Sequence, residues 1–170
     1  IATGRAIQNF PKVAWNGSNW LVVYESVDLN GTGYYYQDSL EAVRVSPTGQ
    51  VLDAKPIKLH GLIPSGASYW AVASDGNNWV VVNQGTSTSG DIVAVRISPA
   101  GAVLDPPNRS LVPATYYMRS NLQLACADGV FLMTFNDAYV NGTDDTKAVR
   151  FDGNLDKLDA GLISFLATPL

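Results

Sequence analysis

Apolar residues in this chain come in short runs separated by turn-forming pairs. Residues 13–24 read VAWNGSNWLVVY, and residues 72–83 read VASDGNNWVVVN. Each stretch holds two runs rich in β-branched and aromatic residues, split by Asn-Gly or Asp-Gly. That is the strongest short-range signal for a β-hairpin. Residues 124–135, LACADGVFLMTF, form a looser third copy with its Gly shifted by one place. No segment shows helical periodicity over a useful length, so the pattern predicts an all-β chain.

A second block follows each hairpin. It reads AVRVSPTGQVLD at 42–53, AVRISPAGAVLD at 94–105 and AVRFDGNLDKLD at 148–159. AVR opens a third strand, and a Ser-Pro-x-Gly turn follows in two copies, replaced by Asp-Gly-Asn in the third. VLD or KLD then leads into a fourth strand: LDAKPIKL from Leu52, LDPPNRSL from Leu104 and LDAGLISF from Leu158. Arg44, Arg96 and Arg150 mark a period slightly above fifty residues. The predicted unit is a four-stranded antiparallel meander, repeated three times.

Four-stranded units at such a period are the sequence mark of a β-propeller. The run VAWNGSNWLVVY…AVRVSPTGQVLD resembles the blade repeats of secreted, mostly bacterial β-propeller proteins, and the resemblance covers almost the whole chain. It is specific for blade architecture and weak for activity, since propellers serve as lectins, lyases, hydrolases and scaffolds. A β-sandwich is the structural competitor, but it does not need internally similar four-strand blocks. The Trp-Asp blade ending of WD40 repeats and the paired glycines of kelch repeats are missing. SDGNNW at 74–79 is superficially similar to the sialidase Asp-box, but its spacing is wrong and it falls in a hairpin turn.

The repeat predicts blades over residues 11–62, 63–114 and 115–170, preceded by an orphan fourth strand over 1–10. IATGRAIQ at 1–8 falls where VLDAKPIK falls in the first full repeat, with Ile7 matching Ile57. A lone strand exposes unpaired N–H and C=O groups along both edges. Three blades do not close a ring, because propellers have four or more. The expectation is a ring completed by another polypeptide, either the other half of a cleaved precursor or a second copy. Ile1 is read as a processed terminus or as the start of a fragment.

Composition narrows the partners. The 170 residues carry a formal net charge of −4 and 46% hydrophobic residues. Lys and Arg are not clustered, which excludes a nucleic-acid groove or an anionic membrane surface. No apolar run is long enough to span a bilayer, and no signal peptide is legible. The polar surface is built from Asn, Ser, Thr, Gly and Tyr, which suggests a secreted, extracellular protein. Cys126 stands alone and reads as a small buried hydrophobe. Asn16, Asn30, Asn108 and Asn141 head glycosylation sequons, which matter only in a eukaryotic source.

Loop lengths point to one face. The turns joining strands one to two and three to four are short. The long insertions at 25–41, 60–69, 84–91, 113–121 and 136–147 all belong to the other end of the sheets. Loops on a rigid scaffold are where binding resides. These loops hold Tyr34, Tyr35, Tyr36, Asp38, Tyr69, Trp70, Tyr116, Tyr117, Arg119 and Tyr139. Aromatic rings stack on the apolar faces of pyranoses while neighbouring polar groups bind hydroxyls, so these residues are the candidate ligand-binding set. The competing explanation is that the rings pack loops onto blades or fill an interface.

Other chemistry is thin. Asp137, Asp144 and Asp145 are weak candidates for a Ca²⁺ site without EF-hand spacing. His60 is the single histidine, and neither a Ser/His/Asp set nor a glutamate pair is legible. The Arg of AVR and the Asp of LD, nine residues apart in every copy, read as a structural bond between strands three and four. The functional expectation is a non-catalytic extracellular binding or adhesion module with carbohydrate as ligand and no cofactor. The alternatives are one chain of a larger propeller enzyme of polysaccharide lyase or glycosidase type, and a structural interaction platform.

Overall fold

The computed structural model describes residues 7–29, 35–61, 69–85, 90–106, 109–113, 119–138 and 144–165, with the side chains of 28, 29, 35–38, 60, 61, 138 and 144 outside the description. The described chain is all strand and turn. Its first sheet runs β1 (Ile7–Trp15), β2 (Trp20–Leu29), β3 (Tyr35–Val45) and β4 (Ile57–Gly61). The second holds β5 (Trp70–Ser74), β6 (Trp79–Gln84), β7 (Ile92–Ile97) and β8 (Ser110–Val112). The third holds β9 (Arg119–Ala127), β10 (Val130–Ala138), β11 (Asp144–Asp152) and β12 (Ile163–Ser164). Each sheet is an antiparallel meander in chain order. Among the described residues the three sheets do not close a ring.

Turn chemistry explains why these hairpins form. Gly17 and Gly76 take φ of +93° and +91°, values that only Gly adopts without strain. The Asn16 amide oxygen Oδ1 accepts the N–H groups of Ser18 (3.1 Å) and Asn19 (2.9 Å). Asp75 Oδ1 does the same for Asn77 (2.9 Å) and Asn78 (2.8 Å). In the third sheet the turn shortens to Asp128 and Gly129, both at positive φ, the signature of a two-residue hairpin. That shortening is the one-place shift of Gly seen in the third repeat.

The outer turns tell a similar story with one exception. Gly49 and Gly101 sit at φ of +85° and +87°, and Leu155 holds the equivalent place at +65°. Asp152 supports this turn by accepting the N–H groups of Asn154 and Asp156. Those bonds hold its carboxyl below the usual carboxylate range. Leu155 is 5% exposed and joins the core between the second and third sheets. Burial of its side chain offsets the backbone strain.

The start of the chain differs from the repeat alignment. Residues 1–6 lie outside the described residues. Ile7–Asn9, expected to end an orphan fourth strand, instead pair with Val27, Ser26 and Glu25 as the opening of β1. A register shift between Asn9 and Lys12 separates them from the rest of β1. Phe10, at φ +52°, sits at this bulge. Its ring meets Trp70 of the second sheet edge-on at 6.2 Å.

The sheets stack face to face, β1 against β5 and β5 against β9. One core holds Leu21, Val23, Leu40 and Ala42 of the first sheet against Trp70, Trp79, Val81 and Ile97 of the second. The other holds Val80, Val82, Ile92 and Ala94 of the second against Phe131, Met133, Phe135 and Phe151 of the third. Strand alternation therefore gives each sheet a leading face toward the preceding unit and a trailing face toward the next. Cys126 packs against the second core, and burial pushes its thiol pKa up, as for an unreactive cysteine.

Polar bonds fasten one sheet to the next. The Trp79 indole N–H donates to the Ala14 carbonyl at 3.0 Å. Asn16 Nδ2 donates to the Asn77 carbonyl at 2.8 Å. Asn16 is 2% exposed, so the folded chain leaves no room for a glycan on it. Replacing Asn16 by Ala removes the turn acceptor and the intersheet donor together. The expected loss is about 2 kcal/mol, read from the urea unfolding midpoint.

Candidate functional site

The two ends of the sheets are built differently. One end carries the short turns described above. At the other, the second strands finish in polar residues whose pairing makes them equivalent. Glu25 pairs with Leu40, Gln84 with Ile92 and Asn136 with Thr146. All three lie on trailing faces, directly beyond the apolar core.

Two of the three are fully enclosed. Glu25 is 0% and Gln84 1% exposed, and among the described residues neither the Glu25 carboxylate oxygens nor the Gln84 carboxamide atoms have a hydrogen-bond partner. The Trp70 indole N–H is likewise buried without one among those residues. Burying such groups unpaired costs several kcal/mol, so each calls for a partner beyond the described residues: a loop group, an ordered water or a ligand. Asn136, with no sheet over it among the described residues, stays half-buried and accepts the Thr146 hydroxyl at 3.5 Å.

Charged groups at the same end are mostly engaged in holding sheets together. Arg119 is 1% exposed and pairs with Asp137 across β9 and β10, Nε to Oδ1 at 3.2 Å. Its Nη1 donates to the carbonyls of Pro113 (2.8 Å), Val112 (3.3 Å) and Gly90 (3.3 Å), which locks the third sheet to the second. The guanidinium also lies 5.2 Å from the Phe135 ring centre. Lys12 donates to the Trp70 carbonyl and lies over the Trp70 ring, and burial lowers its pKa. Tyr24, on the leading face of β2, is pushed up by burial and by the Glu41 charge.

The candidate residues from the sequence are distributed unevenly. Tyr34, Tyr116, Tyr117 and Tyr139 lie outside the described residues. Tyr35, Tyr36 and Asp38 are placed in β3 by backbone alone, as Asp144 is in β11. Tyr69 is half-buried, and its carbonyl accepts the Gln84 N–H at 2.8 Å. Trp70 is 0% exposed and sits in the core between the first two sheets. Of the weak Ca²⁺ candidates, Asp137 is paired with Arg119 and Asp145 with Lys147 at 3.1 Å. Among the described residues no group of three His, Cys, Asp or Glu side chains could hold a metal ion.

Glu25 and Gln84 escaped selection because each looks like the first residue of a loop. The signal was present in the repeat: the apolar run of every second strand ends in a polar residue at the same register.

The Arg–Asp pairs are structural in every sheet. Arg44, Arg96 and Arg150 each contact the carboxylate of Asp53, Asp105 or Asp159 through the backbone N–H and the guanidinium. Burial works to raise the Asp105 pKa, but the bonds from Arg96 and Arg109 outweigh it and hold it low.

No protein-family model and no curated protein matches the chain. Solved structures do. The subtype N11 neuraminidase-like protein of a flat-faced bat isolate from Peru aligns with a TM-score of 0.63 at 14% identity, over 96% of this chain and 43% of that one. The subtype N10 neuraminidase-like protein of a little yellow-shouldered bat isolate from Guatemala aligns at 0.57 and 11%, over 94% and 45%. Sucrose-6-phosphate hydrolase from Lactobacillus gasseri aligns at 0.60 and 12%, over 92% and 35%. All have propeller-type folds.

The three sheets are propeller blades. At these identities the likeness establishes architecture alone, and the chain spans less than half the length of each neighbour. No helix among the described residues is long and apolar enough to cross a membrane.

Proposed function

We propose that this chain is the three-blade part of an extracellular β-propeller that binds a carbohydrate at its long-loop end, without catalysing a reaction. The observation that carries this reading is the pair Glu25 and Gln84. At equivalent places on adjacent blades, their side-chain oxygens and nitrogen are buried and unpaired among the described residues. A sugar hydroxyl both donates and accepts, so it suits a carboxylate and a carboxamide equally. The aromatic residues of the same loops supply the apolar stacking partner. The names of the neighbouring structures, neuraminidase-like and sucrose-6-phosphate hydrolase, support carbohydrate as the ligand class.

A glycan array probed with the full chain tests the reading. Binding is expected to fall at least tenfold when Tyr34–Tyr36 or Tyr116–Tyr117 are changed to Ala, since ring stacking on a ligand contributes about 1–2 kcal/mol. Absence of glycan binding by the intact assembly ends the sugar reading and leaves an interaction platform.

The second reading, a portion of a larger glycoside-processing enzyme, is favoured by the unpaired Glu25 carboxylate, which has the chemistry of a general acid or base. Fluorogenic glycosides separate the two readings. Turnover that Glu25→Gln abolishes, with glycan binding retained, establishes an enzyme. No turnover with intact binding leaves a lectin-like module.

A further inference from the structure

The blade interfaces repeat so regularly that the uncovered blade faces specify what belongs against them. In the seam between the first and second blades, Arg44 donates Nη1–H to the Pro99 carbonyl at 2.8 Å, on the outer turn of the second blade. In the next seam Arg96 donates Nη1–H to the Gly153 carbonyl at 3.3 Å, the same turn position one blade on. Arg150 stands at the third such place. Its Nε and Nη2 bind Asp159, its side chain is 50% exposed, and its Nη1 has no partner among the described residues. The acceptor that this series requires is the carbonyl of Pro47, which holds the same turn position in the first blade.

The receiving turn is open in the matching way. A side chain on Gly101 would fall 2.8 Å from Arg44 Nε, because the guanidinium lies against that glycine. The equivalent Gly49 has nothing among the described residues within 4 Å of the same point. Gly49 instead borders a pocket of about 340 Å³ lined by Val22, Tyr24, Val43, Val45 and Val51.

The apolar residues follow suit. Trp79 and Val81, on the leading face of the second blade, are 0% exposed beneath the first blade. Their equivalents on the first blade are Trp20, which is 41% exposed, and the half-buried Val22. On trailing faces, Leu21 and Val80 are 0% exposed, whereas the equivalent Leu132 of the third blade is 41% exposed. Each of these leading-face features of the first blade thus has its complement on the trailing face of the third.

We propose that a second copy of this chain covers both faces, head to tail, closing a six-bladed ring about a two-fold axis. The third blade of each copy packs on the first blade of the other. Arg150 donates Nη1–H to the Pro47 carbonyl, and the Trp20 indole donates to the Ala125 carbonyl, as Trp79 does to Ala14. Such an interface is heterologous yet self-limiting, because three blades plus three complete the rotation. The occupant is a copy of this chain because its own third blade presents the arginine and the apolar face that both existing seams use, and the first-strand carbonyl that the first seam uses.

Light scattering coupled to size exclusion at micromolar concentration tests this. The wild-type chain is expected at twice the 18.2 kDa mass of one chain. Val22→Glu and Leu132→Lys each bury an unpaired charge in the seam and are expected to weaken the dimer roughly 100-fold or more. Mixing the two variants is expected to restore it. In the mixed pair one seam sets the introduced carboxylate at position 22 against the introduced ammonium at position 132, and the other seam is wild type. An interface between identical faces would not achieve this.

Both substitutions lie on faces already open to solvent, and circular dichroism reports whether each blade set stays folded. If either unfolds, surface Arg150→Gln decides instead, with an expected weakening of about tenfold or more from loss of a charged donor. A wild-type species at the mass of one chain overturns the proposal and assigns these faces to a different polypeptide. A dimer that none of the variants disturbs, or a mixture that stays monomeric, overturns it as well.

Discussion

Arg119→Ala lowers the unfolding free energy by about 3–5 kcal/mol, the cost of leaving a buried charge uncompensated. The guanidinium is 1% exposed and answers Asp137 together with three carbonyls, those of Gly90, Val112 and Pro113. Removal leaves Asp137, itself 5% exposed, facing an emptied site. Against a typical total of about 5–15 kcal/mol, this is a large share. For a chain of this size the melting temperature is expected to fall by roughly 10 °C, read by thermal circular dichroism. Arg119→Lys keeps the charge but loses the planar fork, so it falls between wild type and Ala. If Arg119 were a surface ligand group, both variants would keep the wild-type melting temperature and lose only binding.

Asp105→Asn is the second large effect, and it depends on pH. The Asp105 carboxylate accepts from the Arg96 backbone N–H at 2.8 Å, Arg96 Nε and Nη2 at 2.9 Å each, and Arg109 Nη1 at 3.1 Å. A neutral amide leaves two partly buried guanidinium groups without their counter-charge, at an expected cost of about 3 kcal/mol at neutral pH. The folded-state pKa of Asp105 is lowered, and the unfolded value is about 3.9. Its contribution is therefore complete above about pH 4 and is lost as pH falls through the lower, folded value. Urea titrations of wild type and variant are expected to converge in that acidic window while staying apart from about pH 5 upward. A difference that persists unchanged down to about pH 2 would show that the charge is not what ties the third strand to the fourth.

Much of the architecture was legible because turns are written in local chemistry. Asn16-Gly17 and Asp75-Gly76 signal their hairpins without reference to anything distant. The nine-residue spacing of Arg44 and Asp53 spans one short turn, so a bond between strands three and four follows from strand geometry. The opening of β1 was misplaced because the bulge at Phe10 breaks the pairing register, and although β9 has the same bulge at Asn121, Phe and Asn at the two places share no local signal that marks it. Leu155 was hidden for a related reason: a leucine at a glycine position reads as a changed turn, whereas burial in the core holds the same backbone shape.

The site was less legible than the fold. Whether Glu25, Gln84 or Trp70 is buried depends on which blade lies over it, and no local pattern carries that information. Trp20 and Trp79 make the point, since they occupy equivalent positions, yet one is 41% exposed and the other 0%. Only the stacking order of the blades distinguishes them.

Hydrogen–deuterium exchange of the assembled protein, with and without a glycan that it binds, tests the central claim most directly. Protection is predicted in peptides from the long-loop end, those carrying Tyr34–Tyr36, Tyr69–Trp70, Tyr116–Tyr117 and Tyr139. Protection confined to the short turns around Gly49, Gly101 and Leu155 would contradict it and place the binding face at the opposite end of the blades.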